Sequence, residues 1–370
     1  MGAVSRFGPL SSPLVLTRLA AAAVVANVVL VVTGGAVRLT DSGLGCPTWP
    51  RCTADSYRTT PEMGVHGMIE YGNRLLFFVI AGIAVAGLLA ALAQRPRRRG
   101  LVPLAVAAGL GIPAQAVIGG ITVLTNLNPW VVGLHFLASM AVLAGAYAFW
   151  RRAAGSPRAG ARPTGPEAGA AGSGRPEVPG PLRTLAGLLT AVSALVLVLG
   201  TFVTGSGPHS GDHGAARNGL DPAAIAQLHA DAVFLLIGLS VAAWFALRAV
   251  GAPRAARAAA VLVAVELGQG VIGFVQYFTH LPIVLVGAHM LGSALVWLAT
   301  LALLWSTRVR RPATVAAGPP VDDPDPGSDP DPGSGSGSGS GAGVPADELP
   351  AGGPPDDDLP TGPDVLAGAR

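Results

Sequence analysis

Lysine is absent from all 370 residues, aromatic residues make up only 5% and charged residues only 12%. Beside a 51% hydrophobic content and a mean hydropathy of +0.53, so thin a charged fraction excludes an ordinary soluble domain and leaves an integral membrane protein. The missing lysine fits a GC-rich codon bias better than any mechanism. Nucleic acid is not an expected partner, because the 24 arginines are spread along membrane loops and no basic fold motif accompanies them. No Gly-rich strand-to-helix fingerprint occurs, which argues against flavin or nicotinamide. Cysteine is also scarce, with two in the whole chain. The N-terminus lacks a short hydrophobic region with a small-residue cleavage site, so its first apolar run reads as a retained helix.

Long hydrophobic runs are what the chain has in abundance. Eight are long enough to span a bilayer, at about 13–38, 64–93, 101–124, 130–150, 182–205, 222–249, 254–279 and 283–307. The fold class expected is therefore all-α, integral to the membrane, with eight transmembrane helices arranged as two pseudo-repeated four-helix bundles. Arginines cluster in alternate links: Arg95, Arg97, Arg98 and Arg99; Arg151, Arg152, Arg158, Arg162 and Arg175; Arg248, Arg254 and Arg257; and Arg308, Arg310 and Arg311. Those segments, and both termini, should be cytoplasmic in a bacterial plasma membrane. The loops at about 39–63, 125–129, 206–221 and 280–282 then face outward, and the first and third are long enough to form a lid.

The domains expected are a cytoplasmic N-terminus (1–12), an N-terminal bundle (13–150), a cytoplasmic linker (151–181), a C-terminal bundle (182–307) and an acidic tail (308–370). From residue 312 onward the tail carries eleven of the 21 acidic residues and one of the 24 basic ones, which leaves the body at a formal +13. Its Gly-Ser repeats and Asp-Pro clusters cannot bury enough apolar surface to fold, so disorder is expected there.

Internal repetition brings out the chemistry. Gln115-Ala116-Val117-Ile118-Gly119 aligns with Gln269-Gly270-Val271-Ile272-Gly273, and each glutamine is followed twenty residues later by a histidine, His135 or His289. A second alignment sets Ile69-Glu70-Tyr71-Gly72-Asn73 beside Ile225-Ala226-Gln227-Leu228-His229, so the second copy has two histidines while the first has His135 opposite Asn73, with His66 two turns earlier. Proline marks the outer ends of these helices at Pro61, Pro129, Pro222 and Pro282, which puts the histidines in the outer half of the membrane. Facing histidines in an apolar bundle suggest heme, because imidazole ligates iron well and a polar ring in lipid needs a partner. A lone histidine in an apolar helix is more often structural; equivalent placement in both copies favours ligation.

Glu70 lies at i+4 from His66 and i−3 from Asn73, on one helical face. As a buried carboxylate it could exchange protons during chemistry. The plainer reading is an ion pair with Arg74, although Ala226 at the matching position means the second copy does without the acid. Cys46 and Cys52, with five residues between them in the first outward loop, should form a disulfide on the oxidising side, with a reversible redox role as the alternative. Asp231 reads as a helix-packing polar group, and Glu266 is an intramembrane acid without an assigned partner, with quinol or proton handling as one use. His209, His213 and His280 suit solvated or lid-stabilising roles.

The stretch Gly34-Gly35-Ala36-Val37-Arg38-Leu39-Thr40-Asp41-Ser42-Gly43-Leu44-Gly45-Cys46, the run Ile69-Glu70-Tyr71-Gly72-Asn73-Arg74, and Gly133-Leu134-His135, Gln227-Leu228-His229 and Gly287-Ala288-His289 resemble heme A synthase over about residues 13–307. The resemblance implies oxidation of the C8 methyl of heme O to formyl, by two hydroxylations and loss of water, to give heme A for cytochrome oxidase. It implies a heme b in the C-terminal half, ligated by His229 and His289 and relaying electrons. The substrate heme O would sit in the N-terminal half with His135 as a ligand, Glu70 in catalysis and a Cys46–Cys52 disulfide outside. Many members have histidine where this chain has Asn73, so His66, Asn73 or neither completes substrate ligation. Further partners to look for are a heme O synthase, a quinol donor and a second copy of the chain. Rival readings are a di-heme quinol electron carrier of cytochrome b type and a heme transporter.

Overall fold

The computed structural model describes residues 8–96, 98, 100–155 and 178–308. Among these, regular structure is entirely helical. The long helices are α1 (Pro13–Leu39), α2 (Gly64–Ala93), α3 (Leu101–Leu124), α4 (Pro129–Ala154), α5 (Gly180–Ser206), α6 (Pro222–Ala249), α7 (Pro253–Phe278) and α8 (Ile283–Ser306), and each is long and apolar enough to cross a membrane. The chain is a multi-pass membrane protein. Most of the expected linker (156–177), the tail from 309 and residues 1–7 lie outside the described residues. Helix α4 continues through Arg151 and Arg152 to Ala154.

Local chemistry starts these helices where the sequence indicates. The Asp221 side chain accepts from Ala224 N at 2.7 Å and the Asn128 side chain from Trp130 N at 3.0 Å, so each satisfies an otherwise orphaned donor at the head of α6 or α4. Pro61 opens a 3-10 turn (Pro61–Met63) that leads into α2.

Packing closes two rings. Helix α1 touches α2 and α4, and α3 bridges α2 and α4; α5 to α8 repeat that circuit, α1 packs against α8, and α4 packs against both α5 and α8. Along this seam Val24, Val31, Met140, Leu143, Leu197, Ala294 and Trp297 form one buried cluster. Trp297 Nε1 donates to the Met140 carbonyl at 3.0 Å, and the Met290 thioether fills the space left by Gly35, where a Cβ would come within 2.6 Å of it. On the perimeter Phe78, Phe278 and Val284 are 67%, 72% and 81% exposed, as lipid-facing residues should be.

At the end of the rings opposite the arginine-rich links, the four remaining loops meet. Gly43 N donates to the Gly211 carbonyl at 2.9 Å, and His209 Nε2 donates to the Leu281 carbonyl at 2.9 Å. Leu127 lies beneath Gly43 and Gly211, where a Cβ would come within 2.8 and 3.2 Å of its side chain. The first and third loops thus hold each other as a cap.

Candidate functional site

Each ring carries its marked residues on diagonally opposed helices: His229 on α6 and His289 on α8 in one, Asn73 on α2 and His135 on α4 in the other. His229 and His289 lie within electrostatic reach of one another. Every one of the three histidine rings packs against a glycine on the next helix. A Cβ would stand 3.3 Å from His135 Cε1 at Gly119, 3.3 Å from His229 Cε1 at Gly200, and 3.2 Å from His289 Cε1 at Gly273. Side chains at these glycines would push on the imidazoles, so the small residues set where the rings lie.

The glutamine-to-histidine spacing becomes a physical link. Gln269 Nε2 donates to the His289 carbonyl at 2.7 Å, and Gly292 leaves the room for it, since a Cβ there would fall 1.7 Å from Gln269 Oε1 and displace the amide. In the first ring, Ser139 Oγ lies 2.9 Å from both Gln115 Oε1 and the His135 carbonyl, two acceptors that share its single proton. Sequence reasoning noted the glutamines only as alignment markers.

Nδ1 of His135, His229 and His289 is buried with no hydrogen-bond partner, although the Val196 backbone lies near the His229 ring. Buried imidazole nitrogens are normally satisfied by a donor, an acceptor or a metal. Three imidazoles that each keep a buried Nδ1 without a partner, two of them on opposed helices of one ring, fit axial ligation of a porphyrin iron. Asn73 differs, because its Oδ1 accepts from Thr33 Oγ1 at 2.8 Å.

Glu70 is 5% exposed and both carboxylate oxygens are engaged. Oε2 accepts from Cys46 N at 2.6 Å, while Oε1 accepts from Arg74 Nε at 3.1 Å and from a second nitrogen of the same guanidinium. Arg74 also donates to the carbonyls of Cys46 at 3.0 Å, Thr48 at 3.0 Å and Arg51 at 3.2 Å. The pair therefore clamps the loop closed by the Cys46–Cys52 disulfide, whose two residues are 0% and 1% exposed. The ion pair foreseen as the plain alternative is present. The contact with Cys46 N, 24 residues away in sequence, was not foreseen.

His66, Glu70 and Asn73 occupy one helix but serve three surroundings. His66 Nδ1 lies 3.0 Å from Ser42 Oγ, and the residue lines a cleft of about 390 Å³ with Asp41, Gly45, Met63, Asp212 and His213. Arg38 is committed to the carbonyls of His209 at 2.7 Å and Thr204 at 2.8 Å. Asp231 is not a helix-packing group: it is exposed, and its Oδ1 accepts from Gln227 Nε2 at 2.7 Å within the same helix, because that side of α6 faces away from the ring.

Residues 17–209, slightly more than half of the chain, match the family model for the cytochrome oxidase assembly protein, COX15-CtaA. Heme A synthase of Exiguobacterium sibiricum is 32% identical over 113 residues, covering 30% of this chain and 37% of that protein. Heme A synthase of Methylorubrum extorquens is 30% identical over 220 residues, covering 48% of this chain and 51% of that protein. A third, from Listeria monocytogenes, is 32% identical over 109 residues, covering 29% of this chain and 35% of that protein. The chain thus spans about half or less of the length of these curated relatives. With the helical rings, the disulfide loop and the matched region in agreement, the chain belongs to the cytochrome oxidase assembly protein family, as its likeness to heme A synthases led one to expect.

Proposed function

We propose that the protein is a heme A synthase: it oxidises the C8 methyl of heme O to formyl by successive hydroxylations and loss of water, in a bacterial plasma membrane with both termini cytoplasmic. The observation that carries this reading is the set of three imidazoles with a buried, unpartnered Nδ1, two on opposed helices of the second ring and one in the first, the ring that also holds the buried carboxylate of Glu70. Such asymmetry divides the labour. Opposed His229 and His289 would saturate an iron and make it a carrier; heme b there would supply single electrons. The first ring offers one imidazole, His135, and an amide at Asn73, which leaves the substrate iron open to exchange.

In that ring His135 binds and orients heme O. Asn73 stands across from it. Glu70 holds a proton at Oε2 or passes it on, with Arg74 keeping the carboxylate in place against the Cys46 amide. His66, bonded to Ser42 and facing the outer cleft, sits about two turns above Asn73, roughly 10 Å away at ~1.5 Å per residue, and so belongs to the entrance and not to the iron.

Expressing the chain with a source of heme O and analysing the extracted hemes by mass tests the proposal. Hydroxylated and formyl products are expected. Recovery of heme O alone would refute synthesis and select a heme transporter; two hemes b with no modified product would select a quinol electron carrier.

A further inference from the structure

Glu266 is the buried acid that none of the foregoing uses. It is 3% exposed, Oε1 accepts from Ser240 Oγ at 2.9 Å, and Oε2 is buried without a partner. Helix α7 packs against α6 and α8. The titratable or charged groups of those helices are His229, Asp231 and Arg248 on α6 and His289 on α8; α7 itself adds Arg254, Arg257 and Tyr277. Among them none pairs with Glu266, and Ser240, uncharged, is the group that reaches the carboxylate. Asp231 and Arg248 lie more than two turns from Ser240 along α6.

A structural role does not require an acid at this place. The alignments that relate the two halves set Ile112, Ala84 and Ala146 against Glu266, Ser240 and Thr300. In the first ring those three residues line one cavity of about 20 Å³. In the second ring the equivalent depth holds a carboxylate and two fully buried hydroxyls, Ser240 and Thr300, both 0% exposed. The first ring thus fills this depth with apolar side chains and one amide, Asn27, and without an acid, and a buried ionisable group is weak for stability anyway. The acid occurs only in the ring with two opposed histidines.

Position ties it to them. Glu266, Gln269 and Gly273 fall at i, i+3 and i+7 on α7, one face of the helix. Gln269 bonds the His289 backbone and Gly273 meets the His289 ring, so Glu266 stands about two turns, roughly 10 Å at ~1.5 Å per residue, inward of the ligand level. In so apolar a setting a carboxylate is tolerated only against a nearby positive charge and is otherwise neutral. A ferric porphyrin between two neutral imidazoles carries such a charge in its core, and the ferrous form does not.

We propose that Glu266 is a redox-linked proton site: it takes up one proton from water when one electron enters the heme held by His229 and His289, and releases it when that electron leaves. This rests on the reading that those histidines hold a heme. The balance is one electron to iron and one proton to Oε2, forming an O–H bond and breaking none on the porphyrin; the reductant is a quinol, or dithionite in the assay. The total charge of the buried site then stays constant through each transfer.

Potentiometric titration of the heme-loaded full chain across neutral pH tests it. The midpoint potential of the second-ring heme should fall as pH rises, approaching about 59 mV per tenfold change in proton concentration, the one-electron, one-proton value. Glu266→Gln should keep heme content and spectrum and lose the slope. A flat wild-type profile, or a wild-type slope in Glu266→Gln, overturns the proposal. Should that variant fail to fold, wild-type membranes treated with a hydrophobic carbodiimide, which attacks protonated carboxyls, give the same answer: labelling of Glu266 several-fold faster under dithionite than under ferricyanide supports it, and equal rates overturn it. A wild-type chain that binds no heme at the second ring overturns the parent reading, and this one with it.

Discussion

Replacing Arg74 by alanine tests how the outer loop is held. In the native protein this guanidinium ties Glu70 to three backbone carbonyls of the disulfide loop, at 3.0 to 3.2 Å. Its removal leaves a carboxylate that is 5% exposed with only the Cys46 amide, and strips the donor from Cys46, Thr48 and Arg51. Deleting one partner of a buried ion pair costs roughly 3–5 kcal/mol, and since the Arg74 side chain is 22% exposed the lower end, about 3 kcal/mol, applies. At about 1.36 kcal/mol per decade that is on the order of a 100-fold rise in the fraction of open loop. Cys46 and Cys52 are 0% and 1% exposed, so a membrane-impermeant reductant reaches their bond only through the open form. Reduction and alkylation should accelerate by about the same factor, on the order of 100-fold, while the second-ring heme spectrum stays unchanged. A rate within a few-fold of wild type would refute the clamp. Glu70→Gln separates roles: it keeps an acceptor for Cys46 N and should open the loop far less, yet should abolish heme A formation if the proton at this position is what the chemistry uses.

His229→Ala or His289→Ala should each remove a low-spin heme b spectrum while the protein still inserts; a full-occupancy spectrum in both would break the assignment. Gly273→Leu should lower second-ring heme occupancy, because even a Cβ stands 3.2 Å from His289 Cε1, and Gly119→Leu should spare that heme while weakening heme O retention; absorption spectra of the two variants check this. Asn73→His should turn a high-spin or ligand-exchangeable heme O complex low-spin, whereas His66→Ala should leave the spin state as it was; an unmodified protein already low-spin, and losing that on His66→Ala, would mean that the porphyrin lies nearer the outer surface. Trp297→Phe removes the donor to the Met140 carbonyl across the seam and should cost about 1–3 kcal/mol, read as a lower melting temperature.

What could be read from the sequence divides by the range of the interaction that sets it. Helices were legible because a bilayer demands uninterrupted apolar runs, and their outer ends because proline suits a first helical turn; the cap made by the Asn128 side chain was not read from the sequence. The Arg74 partner of Glu70 was legible for the same reason, being one turn along the helix. Its second partner was not, since an N–H in a loop leaves no mark in the residue type of Cys46. The glycines opposite the histidines show the limit more sharply. Gly119 and Gly273 are inside the aligned motifs, yet their meaning depends on how far two helices are rotated against each other, which no local pattern states. The same dependence explains Glu266. One helix supplies the acid, a second the hydroxyl, and only their packing leaves Oε2 alone in an apolar interior. An unpaired acid at that depth is costly, and the other ring dispenses with it, so its retention beside two opposed histidines points to a demand made by electron transfer, not by folding.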